Sequence, residues 1–257
     1  MAIKQQIIAL YTLVRRELVR MFRIASQVFL PPVITTALYF LIFGSLIGER
    51  IGPVQGVSYP QFIAPGLIMM SVITNAYSNV STSLFSVRFQ KSIEEMLVSP
   101  MHDSLLLFGY ILGGMLRGLI VAILVFLVSC FFVKIQFNHL PLTFFVVLLV
   151  SALFSLAGFI NAMIARNFDD VMIIPTFVLA PLTYLGGVFY ATNMLPPFWQ
   201  TVSHLNPILY MVNALRYAMI GQQEVNISVA LAVISAMVIL LTGINMVLLR
   251  KGIGLRD

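Results

Sequence analysis

Charge is scarce in this chain. Lys, Arg, Asp and Glu make up 9% of its 257 residues, whereas soluble domains carry roughly 25%. That shortage excludes a water-facing globule. Cysteine is scarcer still: Cys130 stands alone, so no disulfide can close within the chain. Its place in an apolar run reads as a small buried hydrophobe. Reactive patterns are missing too, with no Walker A pattern, metal-ligand cluster or nucleophile motif. His102, His139 and His204 fall on separate loops, which argues against a catalytic or metal triad. No Asp or Glu lies in a long apolar segment. That weakens an ion-coupled carrier, because proton relays and sodium sites commonly use intramembrane carboxylates. The first ~25 residues are too charged for the apolar core of a cleavable signal peptide.

What the chain has is apolar length. Hydrophobic residues are 60% of it, and several runs exceed the ~20 residues that cross a bilayer. The spacing predicts an all-α polytopic membrane protein with six transmembrane helices at about 28–48, 61–87, 104–133, 141–164, 171–190 and 227–249. One transmembrane domain then covers 1–257. Residues 1–27 precede the first span. Within them Ile3, Ile7, Leu10, Val14 and Met21 fall at helical spacing, and Arg15, Arg16, Arg20 and Arg23 add positive charge. This predicts an interfacial helix with its cations on lipid headgroups. A solvated basic arm is the alternative.

Pro31 and Pro32 mark the start of the first span, and Pro65 and Gly66 that of the second. The second span is the polar one. Ser71, Asn75, Ser78, Thr82 and Ser86 share a helix face, with Thr74 and Asn79 beside it. Such a stripe belongs against another helix, a subunit interface or a transport path. The third span is overlong, so it tilts or begins outside the membrane. Arg117 then sits near the interface and snorkels out; a substrate role is the other reading. Gly109, Gly113, Gly114 and Gly118 form two small-xxx-small pairs and predict close helix packing. Pro175 and Pro181 predict a kinked fifth span. The stretch 191–226 is too long for a turn. With Trp199, Tyr210 and Tyr217 and a short helix at 208–220, it reads as an extracytoplasmic re-entrant hairpin.

The net charge of +6 invites a nucleic-acid reading, but the cations cluster at the ends of apolar segments. With the N-terminus inside, the inner side holds Lys4, Arg15, Arg16, Arg20, Arg23, Arg88, Lys91, Arg166, Arg250, Lys251 and Arg256. The outer side holds Arg50, Lys134 and Arg216. This asymmetry predicts that both termini and the loop 88–103 are cytoplasmic, and it disfavours nucleic acid as a partner. The loop carries Arg88, Lys91, Glu94 and Glu95, an apolar edge of Ile93, Met96 and Leu97, and a terminating Pro100. A short amphipathic helix from 88 to 98 would dock in a groove on a cytoplasmic partner; a solvated connector is the plainer alternative. The shape is that of a transporter whose energy comes from another chain.

The segment KSIEEMLVSPMHDSLLLFGYILGGMLRG resembles the signature region of ABC transporter type-2 permeases. FIAPGLIMMSVITNAYSN, FDDVMIIPTFVLAPLTYLGGVFY and LPPFWQTVSHLNPILYMVNALRYA are similar to that family's second helix, fifth helix and re-entrant segment. The resemblance implies a homodimeric permease of the bacterial inner membrane, joined to two copies of a cytoplasmic ABC ATPase subunit. ATP and Mg would bind there, and no cofactor would bind this chain, which is not itself an enzyme. It implies a coupling helix on Arg88, Lys91, Glu94, Glu95, Met96, Leu97 and Pro100, and an N-terminal helix that touches the ATPase. The stripe Ser71, Asn75, Ser78, Asn79, Thr82 and Ser86 would lie near the central path. An exporter is expected, with an amphipathic, lipid-like, saccharide-bearing or drug-like cargo. Two other classes remain: a self-contained channel or ion-coupled carrier, and a lipid-modifying membrane enzyme.

Overall fold

The structure is a computed structural model that describes residues 3–93, 101–135, 137–252 and 254. It is nearly all helical. Among the described residues there is no strand, only an isolated bridge between Val54 and Val57. The chain starts with α1 (Ile3–Arg23) and α2 (Ala25–Tyr39). From α2 the winding widens into a π-helical stretch, Phe40–Ile47, that ends in α3 (Gly48–Ile51). Then come α4 (Tyr59–Phe89), α5 (Asp103–Phe132) and α6 (Leu140–Ile164). A broken helical run follows: α7 (Phe168–Ile173), a π-helical stretch Ile174–Leu179 and α8 (Ala180–Tyr184). A 3-10 turn, Thr192–Met194, leads to α9 (Pro197–Leu205), α10 (Pro207–Ile220) and α11 (Ile227–Lys251).

Helix α4 is the axis. Its apolar residues are buried along nearly the whole length, in one core cluster toward each end. The cluster at its N-terminal half takes in α6, α10 and α11. The cluster at its C-terminal half takes in Leu13 of α1, Leu107 and Tyr110 of α5, and Phe159 of α6. Ser58 and Gln61 close a capping box at the α4 start, where the Ser58 N–H donates to Gln61 Oε1 at 3.2 Å.

Among the described residues, four helices are long and apolar enough to cross a membrane: Ala25–Gly44, Asp103–Phe132, Leu140–Ile164 and Ile227–Lys251. Helix α4 misses that measure because its polar stripe lowers its hydropathy. The Phe168–Tyr184 run misses it because it is short. The fifth expected span, 171–190, therefore ends early: the chain leaves the helix at Leu185 and turns through Gly187, whose φ is +71°. Pro175 and Pro181 each lack an N–H for the i→i−4 ladder. Between them the bonding shifts by one residue, and the Ala180 N–H donates to Pro175 O.

Other expected boundaries move as well. Pro31 and Pro32 lie inside α2, not at its start. Pro65 and Gly66 lie inside α4, where Gly66 lets the Val188 backbone pass; a Cβ there would stand 2.8 Å from Val188 O. Both glycine pairs of α5 do mediate helix packing. Gly109 and Gly113 receive Leu13 and Glu17 of α1, while Gly114 and Gly118 receive Ser155 and Ser151 of α6. Cys130, expected to be buried, is exposed on α5.

Candidate functional site

The face that α1 buries overlaps only in part with its apolar spacing, sharing Met21. Leu13, Glu17 and Met21 turn inward, while Ile7 is exposed. The buried row contains a carboxylate because α5 offers glycine opposite it. A Cβ at Gly113 would come within 2.9 Å of Glu17 Cβ. Glu17 is 1% exposed and fully engaged. It accepts hydrogen bonds from Arg16 Nη2 (3.2 Å), Arg20 Nη2 (3.1 Å) and Ser83 Oγ (2.7 Å). Arg20 also donates to Asn79 O and Asn79 Oδ1, both at 3.0 Å. Arg16 donates to the Tyr110 hydroxyl at 2.7 Å and lies over its ring. Burial would lower the Arg16 pKa, but Tyr110 and Glu17 outweigh it and raise the pKa above its ordinary value. Of the four arginines expected on lipid headgroups, Arg16 and Arg20 thus hold a protein carboxylate. Arg15 and Arg23 remain exposed.

Glu17 escaped the sequence reading, which sought carboxylates only inside long apolar runs. A signal was present: a single acid set between Arg16 and Arg20 on a helix facing a Gly-rich one.

The polar face of α4 resolves into two rows. Ser71, Thr74, Ser78, Thr82 and Ser86 are half-buried, and Asn75, Asn79 and Ser83 form the buried flank. The hydroxyls of Thr74, Thr82 and Ser86 donate to carbonyls one turn back, on Met70, Ser78 and Thr82. They make no bond to another helix among the described residues. The flank does reach across: Ser83 to Glu17, Asn79 to Arg20, Asn75 to Arg117.

Arg117 does not snorkel along α5. Its Nε and Nη2 donate to Asn75 Oδ1 at 3.2 and 3.0 Å, and it lines a cavity of about 260 Å³ between α2, α4 and α5. Among the described residues no carboxylate lines that cavity. An arginine at mid-bilayer costs at least ~2.5–3.5 kcal/mol, so the cavity's polar lining is what makes the position tolerable. Pro31 and Pro32 contribute to that lining. Lacking N–H groups, they leave the carbonyls of Gln27 and Val28 without their usual i+4 donors at the cavity wall.

The loop 88–103 is described at its two ends only. Glu94, Glu95, Met96, Leu97 and Pro100 lie outside the described residues. Arg88 belongs to the last turn of α4 and points inward: its Nη1 donates to Ala162 O (2.6 Å) and Met163 O (2.8 Å), the unserved carbonyls at the end of α6. Lys91 is exposed in the following turn, with φ +59°. Ile93 is buried in the cluster at the C-terminal half of α4. On the far side the His102 N–H donates to Gln6 Oε1 of α1 at 3.5 Å.

The other end of the molecule is tied by Arg216. This residue, counted from sequence among outward charges, is 0% exposed. It donates to Gly187 O (2.6 Å) and Phe62 O (3.4 Å), lies over the Phe62 ring and stands 3.9 Å from Glu224. Glu224 accepts in turn from Gln55 and from the Thr192 N–H and hydroxyl. The extended connections between helices are thereby pinned to α4 and α10.

Residues 8–220 match the family described as ABC-2 type transporter. The chain belongs to that family. Among its relatives is the inner membrane transport permease YadH of Escherichia coli K12, 49% identical over 250 residues, 97% of this chain and 98% of that one. Nodulation protein J of Neorhizobium galegae is 22% identical over 238 residues, 92% and 91% of the two chains. The corresponding protein of Rhizobium leguminosarum bv. viciae is 21% identical over 215 residues, 83% of each. The ABC-2 family is one of transport permeases. The apolar helices, the polar face of α4 and the anchored loop are therefore parts of a membrane transport protein.

Proposed function

We propose that this chain is the transmembrane subunit of an ATP-driven exporter in a bacterial inner membrane. Two copies form the path, and a separate cytoplasmic ABC ATPase subunit, bound twice, supplies the energy and carries ATP and Mg. In this reading all six expected segments cross the bilayer, α4 among them, α1 lies at the cytoplasmic surface, and α9 with α10 forms the re-entrant hairpin. The domain is single, and the Ser71, Asn75, Ser78, Asn79, Thr82 and Ser86 face borders the path between protomers.

The observation that carries the reading is how the loop 88–103 is mounted. One end is latched by Arg88 to the last carbonyls of α6 and seated by Ile93 in the core. The other end is bonded to Gln6 of α1 and runs into α5. A force on residues 94–100 therefore reaches α1, α4, α5 and α6 together. Arg88 acts as an anchor in this scheme. Lys91, Glu94, Glu95, Met96, Leu97 and Pro100 face the ATPase. A partner can shift the packing only through contacts that differ between two states, and the described ends of this loop join it to four helices on which such contacts would act.

Affinity purification of the tagged chain from mild detergent tests the proposal. An ATPase subunit should copurify with the unaltered chain and be lost with Glu94→Arg/Glu95→Arg. Recovery of the unaltered chain with no ATPase at all would refute it.

A further inference from the structure

We propose that the cargo, or a lipid-borne part of it, carries an anionic phosphate-like group, and that this group is held along a track of arginines on one side of α4. The proposal rests on the transport reading above and deepens it. Two open cavities follow each other along that helix. The first is a groove of about 620 Å³ between α1 and the C-terminal turns of α4, lined by Arg15, Arg16, Arg20, Arg23, Ser83 and Ser86. The second is the cavity of about 260 Å³ that holds Arg117, with Ser71, Thr74 and Asn75 beside it. No Asp or Glu lines either one among the described residues. Glu17 sits behind the groove with both oxygens already occupied.

The gap between the cavities is bridged by Ser78, Asn79 and Thr82. Arg20 grips Asn79 and Arg117 grips Asn75, residues one helical turn or ~6 Å apart along the axis. The cations therefore step from the groove into the membrane-embedded cavity past one carboxylate, Glu17, which Arg16 and Arg20 already hold, while Arg15, Arg23 and Arg117 face the two cavities with no carboxylate partner among the described residues. The Ser71 and Ser78 hydroxyls have no hydrogen-bond partner among the described residues and are available as donors. A guanidinium inside a bilayer without a carboxylate is suited to an incoming anion, and its planar fork matches the oxygens of a phosphate. The same features repel cations. The cavity at Arg117 has the size of a headgroup, so acyl chains would stay in the bilayer.

The purified chain in phosphatidylcholine nanodiscs, without ATPase, provides the test. Phosphatidic acid is added as probe, and retained lipid is counted by native mass spectrometry. The unaltered chain should retain phosphatidic acid about tenfold over phosphatidylcholine. R117Q should reduce that preference about tenfold, and R117K should restore part of it. R15Q/R23Q should reduce it several-fold, in a salt-sensitive way, because these two arginines are exposed. Displacement by inorganic phosphate would mean that the free anion suffices; failure to displace would mean that the lipid-borne headgroup is required. Both results support the track. Equal retention of the two lipids by the unaltered chain would overturn it. So would an anion preference that R15Q/R23Q leaves unchanged, a variant whose exposed positions do not endanger folding. Because no ATPase is present, this result is independent of whether an ATPase copurifies.

Discussion

Glu17 shows how one side chain organises a helix contact. Its carboxylate is buried, yet each oxygen has donors, and the Gly113 surface leaves room for its stem. Removing one partner of a buried ion pair costs ~3–5 kcal/mol when both are fully buried. Arg16 and Arg20 are 40% and 31% exposed, so solvent takes over part of their charge. Glu17→Ala should therefore lower stability by about 2 kcal/mol. Glu17→Gln should lose less, because the amide oxygen still accepts from Ser83. Thermal unfolding in detergent orders the three proteins, and an unchanged midpoint for Glu17→Ala would contradict the role assigned to this carboxylate. Arg216 illustrates the same rule at the opposite end, where full burial is met by two carbonyls, an aromatic face and Glu224.

At the scale of the helices, glycine decides which neighbours come close. A Cβ at Gly158 of α6 would collide with Tyr77 O, a backbone atom of α4 that cannot move alone. At Gly109 of α5 it would meet the end and the Cγ of the Leu13 side chain, a buried residue that can give way only by shifting within the core. At Gly243 of α11 it would meet nothing within 4 Å. Overpacking costs ~1–3 kcal/mol, and replacing a mid-helix glycine by alanine gains ~0.5–1 kcal/mol. Gly158→Ala should thus destabilise by about 2 kcal/mol, Gly109→Ala should destabilise by about 1 kcal/mol because a side chain yields more readily than backbone, and Gly243→Ala should stabilise slightly. Denaturation midpoints in that order would bear this out. Gly158→Ala at least as stable as Gly243→Ala would count against the α4–α6 packing described here. The π-helical stretches belong to this scale as well. In the α7–α8 run the widened winding follows prolines that withdraw donors from the ladder.

For the whole molecule the question is which end faces the cytoplasm. Arg216 is buried and drops out of the charge asymmetry, but the inner surplus of Lys and Arg persists without it. The positive-inside rule still predicts Ser92 inside and Lys134 outside. In a Cys130→Ser background, Lys134→Cys should react with an impermeant maleimide in intact spheroplasts. Ser92→Cys should react only after permeabilisation. The reverse pattern would invert the topology and remove the loop 88–103 from reach of a cytoplasmic ATPase.

The sequence by itself determined the class, the helical content, the glycine contacts of α5 and the shared polar face of α4. These follow from local quantities: apolar length, residue spacing and the absence of a Cβ. The family, too, was legible in four continuous segments. The tertiary structure alone decided what each polar group meets. Nothing local distinguishes Arg15, left exposed, from Arg20, folded onto Glu17 and Asn79. Nothing local turns Arg88 toward the end of α6, buries Arg216, or sets Arg117 against Asn75 on a helix 42 positions away. A charge settles wherever the packed helices offer a counter-charge or a carbonyl, and that is fixed only when distant segments meet.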